Sequence, residues 1–365
     1  MKYLLLFLLL VMITPLGQAQ SPVVEALTPL AAGLKENSGL LNLNGTLITH
    51  NDSDGDSSLF EVDSETGAIT RTVVVTNAEN HDWEDIAQDP MYIYIGDFGN
   101  NNGDRTNLRI YRIAKSDYQD RNNSVQADLI AFSYPDQTDF TPNVNTNFDA
   151  EALVVLQDSL YIFTKNWANR QSTVYSLPKT PGTYVAKKLG SLETQGLVTG
   201  GTYHTEKNEI MLVGYTPLQA FAYSLSEING YNILAAKQQR LELNLGVSAQ
   251  VEGICSSNDN GYFISSEGTV LAPATLYHLS FGTTTSSGNL AAVAPVTLYP
   301  NPTKSWLHVV HPQQVLTEIF DTTGRKILVT SHTRINLAHL RRGVYLVRIS
   351  KENGETLAAE KLLLE

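Results

Sequence analysis

The sequence predicts an all-β chain: a β-propeller of five blades, with six as the rival count, followed by a small C-terminal β-sandwich. Three observations predict it. Short runs of β-branched and aromatic residues recur between Gly, Asn, Asp and Pro, with no convincing helix among them. A paired layout, in which a carboxylate opens one apolar strand and a polar cluster closes the next, returns with lags of 14 (36 to 50), 13 (84 to 97), 14 (151 to 165) and 15 (252 to 267) residues. Two further strands follow each pair, so the unit is four antiparallel strands in about 50 residues, the size of a propeller blade.

Taken in order, residues 1–19 read as a signal peptide: Lys2, an apolar run from Tyr3 to Ile13, and a small-x-small ending at Gly17 and Ala19. The run is shorter than the ~20 residues of a bilayer span, and no later stretch reads as a transmembrane segment. Residues 20–282 are expected to form the propeller, with units starting near Glu36, Glu84, Glu151, Thr199 and Glu252. The last unit shows only three strands, and Pro22–Leu34 is expected to supply the fourth, closing the ring by pairing the two ends of the domain. Spare length for a sixth blade exists only between Ile113 and Asp149, where 136–147 reads as a loop. Residues 283–295 read as a flexible linker, rich in Thr, Ser and Gly, and 296–365 as the small sandwich.

Composition narrows the function classes. Residues 298–365 carry nine Lys/Arg against six Asp/Glu, whereas the body between signal peptide and tail carries 15 basic and 31 acidic residues. An acidic body argues against nucleic acid as partner and suits a cation. The single cysteine, Cys255, cannot form an internal disulfide and reads as a buried, inert thiol. No Gly-x-Ser-x-Gly elbow or His-rich metal pattern occurs. Asp97-Phe98-Gly99 lacks the other parts of a kinase site, and the run Asp52–Asp56 departs from a calcium-binding loop in its glycine position and its missing twelfth-position glutamate.

In an antiparallel hairpin the start of one strand lies beside the end of the next. Glu36, Glu84, Glu151 and Glu252 should therefore converge on one mouth of the central channel, ringed by His50, Asp52, Asp97, Lys165, Tyr215 and Glu267. Such a gathering must bind a cation, share protons or pair with a base; Lys165 and Arg105 are the internal counter-ions. Three roles stay open: hydrogen bonding that holds the ring together, a calcium site with Glu36, Glu84, Glu151, Glu252 and Asp97 as ligands, or acid/base catalysis with His50, Lys165 and Glu151 as the candidate groups. Trp167 could stack on a sugar, so a small-molecule or glycan ligand belongs to the same expectation.

The stretches Glu36-Asn37-Ser38-Gly39, Trp83-Glu84-Asp85 and Val251-Glu252-Gly253 resemble those of secreted propellers of the phytase-like esterase and SdiA-regulated type. That resemblance implies a calcium-dependent hydrolase of phosphate or other esters. The tail is similar to the C-terminal sorting domain (type A) of the type IX secretion system, through Tyr299-Pro300-Asn301-Pro302, Asp321-Thr322-Thr323-Gly324-Arg325, Ile335-Asn336-Leu337, Gly343-Val344-Tyr345 and Lys361-Leu362-Leu363. It implies passage through the periplasm to the extracellular space or outer cell surface, with the secretion machinery as partner of 296–365.

Overall fold

The structure is a computed structural model that describes residues 22–53, 55–217, 219–245, 249–269, 272–281, 296–321, 325–351 and 356–365. The signal-peptide and linker expectations, 1–19 and 283–295, lie outside these residues, as do Asp54 of the acidic run and Thr322–Gly324 of the tail motif. Five antiparallel sheets follow one another along the chain, each built on four strands. Blade 1 runs through Asn37–Leu43, Thr46–Asn51, Ser58–Val62 and Ile69–Val75; blade 2 through Trp83–Gln88, Tyr92–Asp97, Arg109–Ala114 and Asp128–Ser133. Blade 3 comprises Ala150–Leu156, Ser159–Thr164, Ser172–Pro178 and Lys187–Leu192, and blade 4 Leu197–His204, Glu209–Tyr215, Ala220–Ser226 and Lys237–Leu243. In blade 5, Val251–Ser256, Tyr262–Ser266 and Thr275–Phe281 are completed by Pro22–Pro29, which pairs with Thr275–Phe281 through Val23 opposite Ser280 and Val24 opposite Leu279. The ring is therefore closed by the first strand of the body, and no sheet edge is left at the seam.

The spare length between Ile113 and Asp149 does not make a sixth blade. It forms a short helix, Lys115–Gln119, the strand Ser124–Val125 that adds in parallel to the outer edge of blade 1, and the outer strand of blade 2. No helix among the described residues is long and apolar enough to cross a membrane.

Alternating side chains on each sheet meet those of the next blade, and the buried apolar residues divide into one cluster per interface. Leu41, Ile48, Trp83, Ile86 and Tyr111 fill the gap between blades 1 and 2. Leu153, Ile162 and Tyr175 meet Tyr94, Phe98 and Phe132 between blades 2 and 3. Blades 3 and 4 share Val154, Phe163, Leu212 and Phe221; blades 4 and 5 share Met211, Val213, Ile254 and Tyr262. Leu34, Leu40, Leu47, Cys255 and Leu276 seal blade 5 against blade 1. At about 25 cal/mol per Å2 of apolar surface buried, these five interfaces are the main term holding the ring. Cys255 is one of the sealing residues, and burial pushes its thiol far above the usual range, as expected of an inert thiol.

Residues 296–365 build a separate two-sheet unit. Thr297–Tyr299, Trp306–Val310 and Arg334–Asn336 form one sheet; Lys326–Thr330, Leu316–Phe320, Gly343–Ser350 and Thr356–Leu364 form the other. Leu307, Val309, Ile319, Ile335, Val347 and Leu362 lie in one core between them, the small sandwich that the sequence predicts.

Candidate functional site

Each of the five inner strands breaks register once, at the same level. The extra residues are Gly39, Glu84, Glu151, Thr199 and Glu252, read from the shifts at Ser38/Leu40, Trp83/Asp85, Ala150/Ala152, Val198/Gly200 and Val251/Gly253. A bulge residue is unpaired in the ladder and its side chain is re-aimed. Three of the five are glutamates, buried at one mouth of the ring. Blade 1 carries glycine there for a steric reason: Gly39 has φ +63°, and a Cβ would stand 2.8 Å from His50 Nε2 and 2.9 Å from the Ile86 amide nitrogen.

Two residues ahead of the bulge stand Asp82, Asp149 and Gln250, so Asp82-Trp83-Glu84 and Asp149-Ala150-Glu151 place two carboxylates each at the mouth. Asp52, just past the second strand of blade 1, joins them, and the carboxylates fall into two groups. Ligand oxygens of Asp52, Asp82 and Glu84 lie within 4.8 Å of one another, and so do those of Glu84, Asp149 and Glu151. Glu252 and Glu267 complete the acidic wall on the blade 5 side.

Among the described residues one buried ammonium stands against these seven carboxylates, with Arg105 acting on Asp82 and Lys35 on Glu267 from farther out. Lys165 donates to Glu151 Oε1 at 3.0 Å, and its Nζ lies 5.3 Å from the Trp167 ring and 5.7 Å from that of Tyr215. Burial works against its charge, but Glu151, Glu252, Tyr215 and Asp149 outweigh it and hold the lysine well above its usual range. Two ionised carboxylates 4.8 Å apart repel by about 3 kcal/mol at an effective dielectric of about 20, so the groups cannot all be charged unaided. Burial is the largest cause in every case. It raises Asp52 and Asp149, pushes Glu84 and Glu151 well up, and with neighbouring carboxylates takes Asp82 and Glu252 to about 8 and Glu267 to about 7. Asp149 is held in place by the Asn100 amide at 2.6 Å and by Trp167 Nε1 at 2.8 Å. Glu84 is 4% exposed and its carboxylate accepts no hydrogen bond from any described residue, Ser38 Oγ donating only to its backbone carbonyl at 2.5 Å, while the second oxygen of the fully buried Glu151 is without a donor.

One residue below the bulge, Asp85 reaches across the axis. Its Oδ2 accepts the amide of Leu153 in blade 3 at 2.8 Å and that of Gly201 in blade 4 at 3.0 Å, while Oδ1 accepts its neighbour Ile86 at 2.8 Å. Beyond this plug the opposite end opens into a cavity of about 660 Å3 lined by Leu41, Ile86, Leu153, Val154, Cys255 and the polar rim above them. None of the seven carboxylates of the mouth lines this cavity, and its own acidic residues are Asp89 and Glu206.

The structure brings Glu84, Glu151, Glu252, Lys165, Asp52, Tyr215 and Glu267 to the mouth and places three expected residues elsewhere. Glu36 is exposed and precedes its strand, and the bulge level of blade 1 belongs to Gly39, three residues later; it stands at the outer rim, its carbonyl accepting the Asp52 amide at 2.9 Å and its carboxylate raising Glu267. Asp97 pairs with Trp83 in the ladder, one residue short of the ring position that Phe98 takes. Its carboxylate meets Arg105 at 3.0 Å and Arg109 at 3.1 Å, which also fixes where the charge of Arg105 goes. His50 is fully buried edge-on against Trp83, its Nδ1 3.1 Å from the Asn51 carbonyl, and burial lowers its pKa to about 4. It faces the core between blades 1 and 2, so it has no path to a substrate at the mouth. Asp82 and Asp149 were missing from the expected set, although the repeated Asp-x-Glu spelling marked them.

Comparison with known proteins separates the two parts of the chain. Residues 297–365 match the family model described as the secretion system C-terminal sorting domain. A search of curated proteins finds no match. Among solved structures, a glucose dehydrogenase is similar at 9% identity and TM-score 0.43, over 71% of this chain and 100% of that one. A gluconolactonase from Xanthomonas campestris is similar at 8% and 0.39, over 67% and 72%. An exo-β-1,3-galactanase from Phanerochaete chrysosporium reaches 10% and 0.45, over 94% and 100%. Likeness at this level carries nothing about activity.

Proposed function

We propose that the propeller is cargo which the sorting domain carries out of the cell through the type IX secretion system, and that its acidic mouth binds a divalent cation, calcium, together with an oxygen-rich ligand. In this reading residues 1–19 take the chain to the periplasm, 296–365 engage the secretion machinery, and the propeller acts outside the cell or on its surface. The observation that carries the cation is Glu84: a carboxylate buried among four others, with no hydrogen-bond donor to it among the described residues. The donor set fits a hard ion, being all carboxylate oxygen with no His or Cys in either group. Glu84, Glu151, Asp82, Asp149 and Asp52 would hold it; Glu252 stands beside them, and Glu36 and Asp97 have no part.

The ligand is supported by the wall next to Asp149. There a cleft of about 390 Å3 is lined by Asn102, Asn143, Asn145, Asn169, Phe148 and Tyr175. Side-chain amides beside an aromatic ring suit the hydroxyl groups of a glycan.

The test is thermal unfolding of the full chain after chelation, with and without added calcium. Calcium at 100 times its dissociation constant should stabilise the fold by about 2.7 kcal/mol, and Glu151→Gln should reduce that gain. An unfolding midpoint indifferent to chelator and calcium would reject the cation.

A second reading is a calcium-dependent esterase or phosphoesterase at the same mouth, with Glu84 and Glu151 as ligands, Glu252 as acid or base and Lys165 contacting the substrate. It is favoured by one observation: Glu252, pushed to about 8, stands near the charged Lys165, an acid and a cation at one opening. Hydrolysis of aryl esters and aryl phosphates that is lost in Glu151→Gln would select this reading over simple binding.

A further inference from the structure

The acidic mouth is two overlapping nests. Asp52, Asp82 and Glu84 form one and Glu84, Asp149 and Glu151 the other, each with its oxygens within 4.8 Å of one another. They come from different places in the ring: the first spans blades 1 and 2, the second blades 2 and 3. Only Glu84 belongs to both. Its carboxylate has two oxygens, takes no donor from the described residues and is 4% exposed, which is the state of a group waiting to bridge. The outer oxygens point the same way. Asp52 Oδ1 in the first nest and Glu151 Oε2 in the second are both buried without a hydrogen-bond partner.

The two nests give two separate places for an ion. Five carboxylates line them, and Lys165 already answers one, Glu151. With the other four ionised, two divalent ions balance a charge that a single ion would only half answer. We infer that the mouth holds two hard divalent cations, one between Asp52, Asp82 and Glu84 and one between Glu84, Asp149 and Glu151, bridged by the Glu84 carboxylate. This rests on the cation reading above and adds the number of ions and the residue they share.

Native mass spectrometry of the metal-free full chain titrated with calcium counts the ions without any substitution. Isothermal titration of Asp52→Asn, Glu151→Gln and Glu84→Gln then assigns them, with circular dichroism confirming that each variant is folded. Two ions are expected on the unaltered chain, one on Asp52→Asn and one on Glu151→Gln, and both should bind at least tenfold more weakly to Glu84→Gln. A single ion on the unaltered chain, or two ions that survive in Glu84→Gln, overturns the bridged pair and leaves the cation reading standing. No ion at all overturns the cation reading itself.

Discussion

Replacing Asp85 with alanine removes the only side chain among the described residues that ties three blades together across the axis. The Leu153 and Gly201 amides, at 2.8 and 3.0 Å from the same carboxylate oxygen, would be left buried with no acceptor. A buried donor without a partner costs about 1–3 kcal/mol, so the two together cost about 2–6 kcal/mol, the nearer Ile86 bond adding less because it joins adjacent residues. Part of this is returned, since burial disfavours the ionised carboxylate and pushes Asp85 well above its usual range. A net loss of about 2–5 kcal/mol is expected for Asp85→Ala. Asparagine keeps one oxygen for the Leu153 and Gly201 amides but turns its NH2 toward the Ile86 amide, which loses its acceptor, so Asp85→Asn should cost about 1–3 kcal/mol, less than alanine. Urea unfolding followed by tryptophan fluorescence would show a lowered midpoint with an unchanged slope for alanine. If the two variants behave alike, or if alanine costs nothing measurable, the cross-axis bonds do not hold the ring.

Two further expectations concern pH. In metal-free protein, Asp82 and Glu252 at about 8 and Glu267 at about 7 titrate above their unfolded values of about 4. Folding therefore takes up protons, and the stability these groups contribute is fully present below about 4 and lost as pH rises through 7 to 8. Saturating calcium should flatten this slope, and an equal slope with and without the ion would refute the assignment. His50 works in the opposite direction. Its pKa of about 4 lies below the unfolded ~6.5, so its contribution, about 3 kcal/mol by linkage, is complete above 6.5 and disappears as pH falls toward 4. His50→Gln should remove that acid-side loss, which denaturant midpoints at pH 7 and pH 4.5 would reveal.

Most of the fold was legible because strand runs and turn residues alternate so regularly, and because Pro22–Leu34 was the one unused strand that could complete the last blade. The site was legible only in part. Glu84, Glu151 and Glu252 stood out as strand-opening glutamates, and two of them follow an aspartate by two residues, yet the aspartates drew no notice until the register was known. Asp97 misleads because it stands one place short of the ring position, and a shift of one turns a side chain to the other face of the sheet; Glu36 misleads because the bulge level of blade 1 falls three residues later, at Gly39. Nothing in the spelling of a strand locates such a bulge. His50 is the plainest case, since its place beside Thr49 and Asn51 looked like a rim position and proves to be core. Asp85 was invisible because its partners, Leu153 and Gly201, contribute backbone amides that no sequence pattern records.

The seam in blade 5 sets the order in which this protein can finish folding. Pro22–Pro29 is synthesised long before Thr275–Phe281, its partner, so this early segment must wait for nearly the whole body to follow. Until then both ends of an open arc offer unpaired edges to any neighbouring chain. Residues 297–365, matched to the sorting domain, are made last, after the strand that lets the circle shut.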